Sequence, residues 1–168
     1  SIVKVSTANL VFSAMYCNLK KAELLDYIPE DLLAYMEHIT NLNKERNLKI
    51  IKQAEEINNV LKENNITPIF LKGTCNLLNN LYEDLGERMV GDIDFIVAPN
   101  AYDKTILILK DFGYGPIEVE LPVFFRHYPR MVKKGRIAAI EIHTKLLREG
   151  FNNLLNYEHI KDSLMEVN

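Results

Sequence analysis

Two aspartates, Asp92 and Asp94, stand one residue apart at the start of the apolar run 92–97. A short apolar run predicts a β-strand, in which alternate side chains point to the same face. The two carboxylates would then lie side by side, about 6–7 Å apart at their Cα atoms. Neighbouring carboxylates repel each other unless a cation lies between them, and such oxygen ligands suit Mg²⁺. The pair is a candidate metal site, and the alternative is a solvated edge that binds nothing.

A second candidate lies at Leu71-Lys72-Gly73-Thr74, where a predicted strand leads into a predicted helix. Gly73 would let a phosphate approach the backbone closely, and the first N–H groups of the helix and the Thr74 hydroxyl can bind an anion. Lys72 precedes the glycine, and the pattern leaves open whether its ammonium group faces a phosphate or the solvent. This segment is a candidate phosphate site.

A lone acid, Glu141, lies within the apolar stretch 137–143. Strand alternation puts Glu141 and His143 on the same face. A charged residue inside an apolar strand either reaches the rim of the sheet or serves a site, and both interpretations stay open for Glu141. His127, Tyr128 and Arg130 could approach the site from the paired strand, but we favour exposure to solvent for them. We also expect the lysine-rich turn at 133–136 to be exposed.

The elements before these residues are helical. Residues 1–64 contain no glycine and a single proline, Pro29, which fits the first turn of a helix. Apolar residues then recur at steps of three and four, as on one face of a helix. The polar stretch 41–47 is either an exposed part of one long helix or a short break between two helices. We expect one continuous helix.

From residue 64 onwards, short apolar runs alternate with turn residues and amphipathic stretches. The predicted elements are a strand at 69–71, a helix from Thr74 with Leu77, Leu78 and Leu81 facing inward, a loop at 83–91, a strand at 92–97, a helix at 100–110, candidate strands at 117–121 and 122–125, and a hairpin of 131–132 and 137–143. This order predicts an α/β (α+β) fold, with a mixed β-sheet and flanking helices. We expect a helical segment at 1–64, a core at 65–150 that carries the candidate sites, and a C-terminal helix at 151–168. This last helix could be the start of a further region that is not part of this chain.

The composition limits the classes of function. The chain has 168 residues, of which 48% are hydrophobic and 26% charged, and this excludes a disordered or low-complexity protein. Its formal net charge of −3 argues against an extended nucleic-acid surface. No apolar run reaches the ~18 residues that span a bilayer. We therefore expect no membrane partner. Cys17 and Cys75 fit no metal-binding spacing and are expected to be free thiols, which favours a cytoplasmic location.

Together, the glycine turn, the Asp-x-Asp pair and the later acid form an ordered set that resembles the nucleotidyltransferase superfamily built on the DNA polymerase β fold. More narrowly, the chain resembles a bacterial family of uncharacterised nucleotidyltransferases. The matching segments are Phe70-Leu71-Lys72-Gly73, Leu81-Tyr82, Gly86-Glu87-Arg88, Gly91 to Val97, Gly113-Tyr114 and Glu141-Ile142-His143. The resemblance covers roughly residues 67–145 well and the helical N-terminus loosely.

The resemblance implies a nucleotidyltransferase-like core and a catalytic role for three acids. Asp92 and Asp94 would hold the Mg²⁺ ion that accompanies a nucleoside triphosphate, and Glu141 would complete a second Mg²⁺ site near the acceptor hydroxyl, with Mn²⁺ as the alternative metal. The implied phosphate-binding residues are Gly73, Thr74, Arg88 and Lys72. His143 would not bind the metal itself but would hold the metal-binding Glu141 in its orientation.

The function implied is Mg²⁺-dependent transfer of a nucleoside monophosphate, most simply AMP from ATP, to a hydroxyl group of a small molecule, a saccharide or a protein. A different class of function is a catalytically silent nucleotide-binding module, or an antitoxin-like interaction module, on the same fold. The three intact acids favour the enzyme. A sugar-nucleotide glycosyltransferase is disfavoured, because residues 1–64 are predicted to be helical where that fold needs a nucleotide-binding βαβ region.

Overall fold

A computed structural model describes residues 2–117, 127–147 and 150–164 of the protein. The predicted strand at 122–125 lies outside the described residues, and so does all of the predicted strand at 117–121 except its first residue.

Three helices and a short 3₁₀ turn make up the N-terminal segment. They are α1 (Ile2–Ala8), α2 (Phe12–Lys21), a 3₁₀ turn (Leu25–Tyr27) and α3 (Glu30–Glu63). Pro29 directly precedes α3, and acidic residues in the first turn of α3 complement its dipole. The 34 residues of α3 are continuous, which confirms the prediction of a single long helix. A small separate core forms where α2 packs on α3, around Phe12, Tyr16 and Met36.

The rest of the described chain is built around a five-stranded sheet. Its strands are β1 (Ile69–Phe70), β2 (Asp92–Ile96), β3 (Gly115–Pro116), β4 (Met131–Val132) and β5 (Ala139–His143), in the order β1-β2-β5-β4-β3. The central pair β2 and β5 is parallel and the other pairs are antiparallel, so the sheet is mixed as predicted. Helices α4 (Lys72–Leu78), α5 (Tyr102–Asp111) and α6 (Tyr157–Ile160) complete the α+β fold, with 3₁₀ turns at Pro99–Ala101 and Lys161–Ser163.

The main core lies between α3 and the two central strands. One face of α3 is fully buried because apolar residues recur on it at helical spacing. The core residues include Ile50, Ala54, Ile57 and Leu61 from α3, and Ile93, Phe95, Ile140 and Ile142 from β2 and β5. This packing fixes α3 against the sheet and holds the parallel pair in register.

Two helix predictions were wrong in their extent. Helix α4 begins at Lys72 rather than Thr74 and ends at Leu78, because the chain turns at Asn80 with a positive φ of 50°. Leu81, expected to face inward, is therefore 66% exposed. At the C-terminal end, the Asn156 side chain caps a helix that covers only Tyr157–Ile160, so the described part of 151–168 contains one short helix and a 3₁₀ turn.

The polar stretch 41–47 is not simply exposed, because two of its asparagines are buried inside the fold. Asn43 Nδ2 donates to the carbonyl oxygens of Gly86 (2.7 Å) and Arg88 (3.1 Å). Asn47 Nδ2 donates to the carbonyl oxygens of Leu85 (2.6 Å) and Arg88 (2.7 Å). We call these two side chains and the carbonyls that they hold the asparagine clasp. The clasp ties the loop before β2 to α3 and so fixes where β2 begins.

A second buried amide fixes the start of β5. Gln53 Nε2 donates to the carbonyl oxygen of Ala138 at 2.9 Å, and its Oε1 accepts the Ala138 N–H at 3.2 Å. The hairpin between β4 and β5 turns at residues 133–135, as predicted, but its basic residues are not all solvated. Arg136 forms an ion pair with Glu56 of α3 at 2.6 Å. Helix α3 therefore positions the starts of both central strands.

Candidate active site

The register of the two parallel strands brings the predicted acids together. Asp94 lies opposite Glu141, and Asp92 lies opposite Ala139, one residue pair earlier. Because side chains alternate along each strand, both aspartates share one face with Glu141 and His143. We call Asp92, Asp94 and Glu141 the acid cluster.

Two of the three acids are deeply buried. The side chains of Asp94 and Glu141 are 3% and 9% exposed, whereas that of Asp92 is 24% exposed. A buried carboxylate is costly unless charged or hydrogen-bonding groups compensate it. The acid cluster therefore requires partners, and the structure supplies them from three different elements.

Asp94 is bound by a histidine and a lysine. His143 Nε2 donates to Asp94 Oδ1 at 2.7 Å, and the Lys72 ammonium group forms an ion pair with the same oxygen. Burial acts to raise the pKa of Asp94, but the hydrogen bonds from His143 and Lys72 outweigh burial and lower this pKa below its usual range. Asp94 is therefore a carboxylate at neutral pH.

Asp92 and Glu141 share a single arginine. Arg130 donates through Nε to Glu141 Oε1 at 2.6 Å and through Nη2 to Asp92 Oδ2. The hydrogen bond to Glu141 raises the pKa of Arg130, and the charge of Asp92 adds to this effect. Glu141 Oε2 lies 3.8 Å from Lys72 Nζ and 3.7 Å from His127 Nε2. Two cations thus bridge all three acids.

The sequence favoured surface exposure for residues 127–130 over an approach to the site, and Arg130 does both: its side chain is 51% exposed and contacts Glu141. His127 forms a bridge with His143 of β5, and the Tyr128 N–H donates to the Ile142 carbonyl at 2.8 Å. This pairing with β5 carries Arg130 to the acid cluster. The available signal was charge: three acids on one face need cations, and Arg130 lies close in sequence to the strand beside them.

His143 contacts a different acid from the one expected. It was predicted to orient Glu141, but its Nε2 hydrogen-bonds to Asp94, and Glu141 Oε2 lies farther away at 3.8 Å. The reason is the parallel register, which sets His143 opposite Ile96 and leaves Asp94 within its reach.

Of the four residues expected to bind phosphate, the structure brings only the lysine into contact with the acid cluster's carboxylates. The Thr74 hydroxyl is buried and donates to the Asp92 carbonyl at 3.2 Å. A Cβ on Gly73 would lie 3.0 Å from Val90 Cγ2, so packing against Val90 already favours glycine there. Arg88 has an exposed side chain, and its carbonyl belongs to the asparagine clasp. Phosphate binding by Gly73, Thr74 and Arg88 stays a prediction.

The side chains fit a divalent cation. Asp94, Glu141 and His143 can each present one ligand atom, and these atoms lie within 4.8 Å of one another. The two carboxylates supply the oxygen donors that Mg²⁺ and Mn²⁺ prefer, whereas the imidazole could bind a metal through Nε2 only by giving up its hydrogen bond to Asp94. The buried cluster can therefore hold a metal if Lys72 and Arg130 yield the oxygen atoms that they now contact.

A comparison with known families agrees with this site. Residues 1–166 match a protein family described as uncharacterised nucleotidyltransferase. The chain belongs to this family, and so it is a transferase that acts on a nucleotide substrate. No curated protein and no solved structure matches the chain. None of the described helices has the length and apolar character needed to cross a membrane.

Proposed function

We propose that the protein transfers a nucleoside monophosphate, most simply AMP from ATP, to a hydroxyl group of a small molecule, a saccharide or a protein, with Mg²⁺ or Mn²⁺ as cofactor. The observation that carries this proposal is the acid cluster, in which Asp92, Asp94 and Glu141 share one face of two neighbouring parallel strands. Nucleotidyl transfer needs such a set of carboxylates, because they hold the divalent cations that neutralise the negative charges of the substrate.

The three acids would divide the work. Asp92 and Asp94 would hold the metal that accompanies the triphosphate, and Glu141 would complete a second site beside the acceptor hydroxyl. The bound metals would neutralise the phosphate oxygens and make the hydroxyl easier to deprotonate. His143 would keep Asp94 in place throughout, since both side chains are buried and hydrogen-bonded to each other.

The proposed reaction is a substitution at the α-phosphorus. The acceptor oxygen forms a bond to this phosphorus as the bond to the oxygen that bridges the α- and β-phosphates breaks. Pyrophosphate leaves with the electron pair of the broken bond, and the hydroxyl proton passes to solvent. Lys72 could stabilise the charge on the phosphates, because its ammonium group lies at the rim of the acid cluster.

Labelled nucleotides test this proposal directly. The protein is incubated with Mg²⁺ and cell extract, and with ATP labelled at either the α- or the γ-phosphate. Transfer of the α-label alone is expected, and the size of the labelled product identifies the class of acceptor. Competition by unlabelled GTP, CTP and UTP identifies the preferred base, and replacing Mg²⁺ by Mn²⁺ identifies the preferred metal.

Matched variants show whether the acid cluster performs the transfer. Asp94→Asn should abolish labelling, whereas Asp111→Asn, at an exposed position at the end of α5, should retain it. Transfer of the γ-label would instead indicate a kinase. Tight binding of Mg²⁺ and ATP without any transfer would favour the catalytically silent binding module.

A further inference from the structure

We propose that Arg130 and Lys72 exchange partners when the nucleotide binds: they pair with the acid cluster in this structure, and they bind the triphosphate once a divalent cation takes the carboxylate oxygens. This inference rests on the proposed function and adds a role for Arg130, which no sequence motif indicated. It predicts that Arg130 opposes the metal and supports the nucleotide.

The first argument is competition for the same atoms. Arg130 contacts Glu141 Oε1 and Asp92 Oδ2, and Lys72 contacts Asp94 Oδ1. A bound Mg²⁺ needs carboxylate oxygens at about 2.0–2.1 Å, and Mn²⁺ binds the same type of oxygen ligand. An ammonium or guanidinium group on those oxygens would block this approach and repel the ion. A metal that takes these same oxygen atoms therefore displaces the two side chains.

The second argument is the difference in burial between the acids and their cations. The side chains of Lys72 and Arg130 are 52% and 51% exposed, whereas those of Asp94 and Glu141 are 3% and 9% exposed. The acids lie on central strands, and Asp94 is also held by His143. The long basic side chains can thus move outward without disturbing the sheet, whereas the acids must stay.

The third argument concerns where the displaced cations go. Arginine and lysine side chains released from carboxylates need a new anion, and a triphosphate that arrives with the metal provides several oxygen acceptors. Arginine fits this exchange well, since its planar fork pairs with phosphates as well as with carboxylates. The metal alone would displace Arg130 at a cost, whereas the metal and the nucleotide together would offset that cost.

Removing the charge of Arg130 should therefore change two affinities in opposite directions. In Arg130→Met, Mn²⁺ alone should bind about tenfold more tightly, because it no longer competes with a charged hydrogen-bond donor. The α,β-methylene analogue of ATP, which this transfer cannot cleave, should bind about tenfold more weakly at saturating Mn²⁺. Free Mn²⁺ is measured by electron paramagnetic resonance and the analogue by calorimetry.

The control removes the same charge from the same hairpin. Lys134 is exposed beside Gly135, and Lys134→Met should leave both affinities within about twofold of the unsubstituted protein. Arg130→Lys keeps a positive charge and should restore part of the nucleotide affinity that Arg130→Met loses. If the methionine variant fails to fold, as judged by circular dichroism, Arg130→Gln provides the same test.

Three results would overturn the exchange: weaker Mn²⁺ binding in Arg130→Met, unchanged affinities in it, or tighter Mn²⁺ binding with no loss of nucleotide affinity. Weaker Mn²⁺ binding would indicate that Arg130 supports the structure of the site. Tighter Mn²⁺ binding with unchanged nucleotide affinity would indicate that the displaced side chain is solvated and does not bind the nucleotide. Failure of the proposed function looks different. If Arg130→Met shows both effects but the protein transfers no α-label, the partner exchange is supported and the proposed nucleotidyl transfer is not.

Discussion

Two polar clusters lie beside strand β2, and they differ in charge: one consists of neutral groups and the other of ionised groups. The asparagine clasp joins neutral side-chain amides on α3 to backbone carbonyls of the loop before β2. The acid cluster, on the neighbouring strands β2 and β5, joins buried carboxylates to cations. Both clusters pair groups that would be costly to bury alone, but only the second contains charged side chains that are half exposed.

The two clusters also differ in how easily their contacts can be replaced by a ligand. Asn43 and Asn47 are both buried, and the Arg88 carbonyl accepts hydrogen bonds from both of them. Each such hydrogen bond contributes about 1 kcal/mol, and leaving its buried partners unpaired costs more. Lys72 and Arg130 are half exposed, so water or a ligand can replace their contacts. The clasp is therefore suited to positioning, and the acid cluster to binding.

The largest expected effect is on the acid cluster. Asp94→Asn should weaken binding of the metal–nucleotide complex and reduce transfer by about 10³-fold or more, because the site loses a ligand of the cation that neutralises the phosphates. Glu141→Gln should change nucleotide affinity by no more than a few fold and still remove most of the transfer rate. The reason is that Glu141 would act chiefly in the transition state. Calorimetry and transfer of the α-label measure the two quantities separately.

The control for Glu141→Gln is Glu55→Gln, an exposed position on α3 that should change neither quantity. Equal losses of affinity in Asp94→Asn and Glu141→Gln would place both acids in the nucleotide site and end the proposed division of labour. If neither variant changed affinity or rate, the acid cluster would be no more functional than the clasp.

A substitution in the clasp should act on stability instead. Asn47→Asp replaces the donating amide with a carboxylate that faces the carbonyl oxygens of Leu85 and Arg88. We expect a loss of about 3 kcal/mol in the free energy of unfolding, compared with about 2 kcal/mol for Asn47→Ala, because a buried charge without a donor is worse than a missing side chain. Urea unfolding measures both. A milder effect of aspartate than of alanine would show that this position is open to water.

The close approach of the clasped loop to α3 gives a smaller effect. A Cβ on Gly86 would lie 2.6 Å from the Thr40 carbonyl oxygen, which belongs to the backbone and cannot easily move. Gly86→Ala should therefore lower the free energy of unfolding by about 1–3 kcal/mol. Gly91→Ala is the matched control in the same loop, since a Cβ there meets nothing within 4 Å. Equal stability of the two variants would mean that the loop is not pressed against α3.

The sequence predicted the acid cluster better than its surroundings, for physical reasons. Alternation along a strand is local, so the shared face of Asp92 and Asp94 followed from their spacing alone. Glu141 was recognisable because a charge inside an apolar strand is costly. Contact between Arg130 and the acids was the less favoured interpretation, because it depends on pairing between residues 127–128 and β5, which no local pattern encodes.

The clasp was missed for a related reason. A polar stretch within a helix usually faces water, and this rule led to the expectation of exposure for residues 41–47. Asn43 and Asn47 are four residues apart and so share one face of α3, which is the face that meets the loop before β2. Their burial depends on carbonyls about 40 positions away in sequence. Leu81 shows the opposite error, because an apolar residue was expected inside and lies beyond the end of α4.

The smallest expected effect separates backbone strain from charge within the acid cluster. Lys72 has a positive φ of 52°, a conformation that costs a non-glycine residue about 1–2 kcal/mol. Lys72→Gly and Lys72→Ala both remove the ammonium group that contacts Asp94, so both should weaken nucleotide binding equally. Only glycine relieves the strain, and the glycine variant should be about 1 kcal/mol more stable than the alanine variant in urea unfolding. A strained lysine at this position is the pattern expected where function outweighs stability, whereas the clasp residues Asn43 and Asn47 lie in a regular helix. If alanine were as stable as glycine, the lysine would be held without strain, and the acid cluster would differ from the clasp in charge alone.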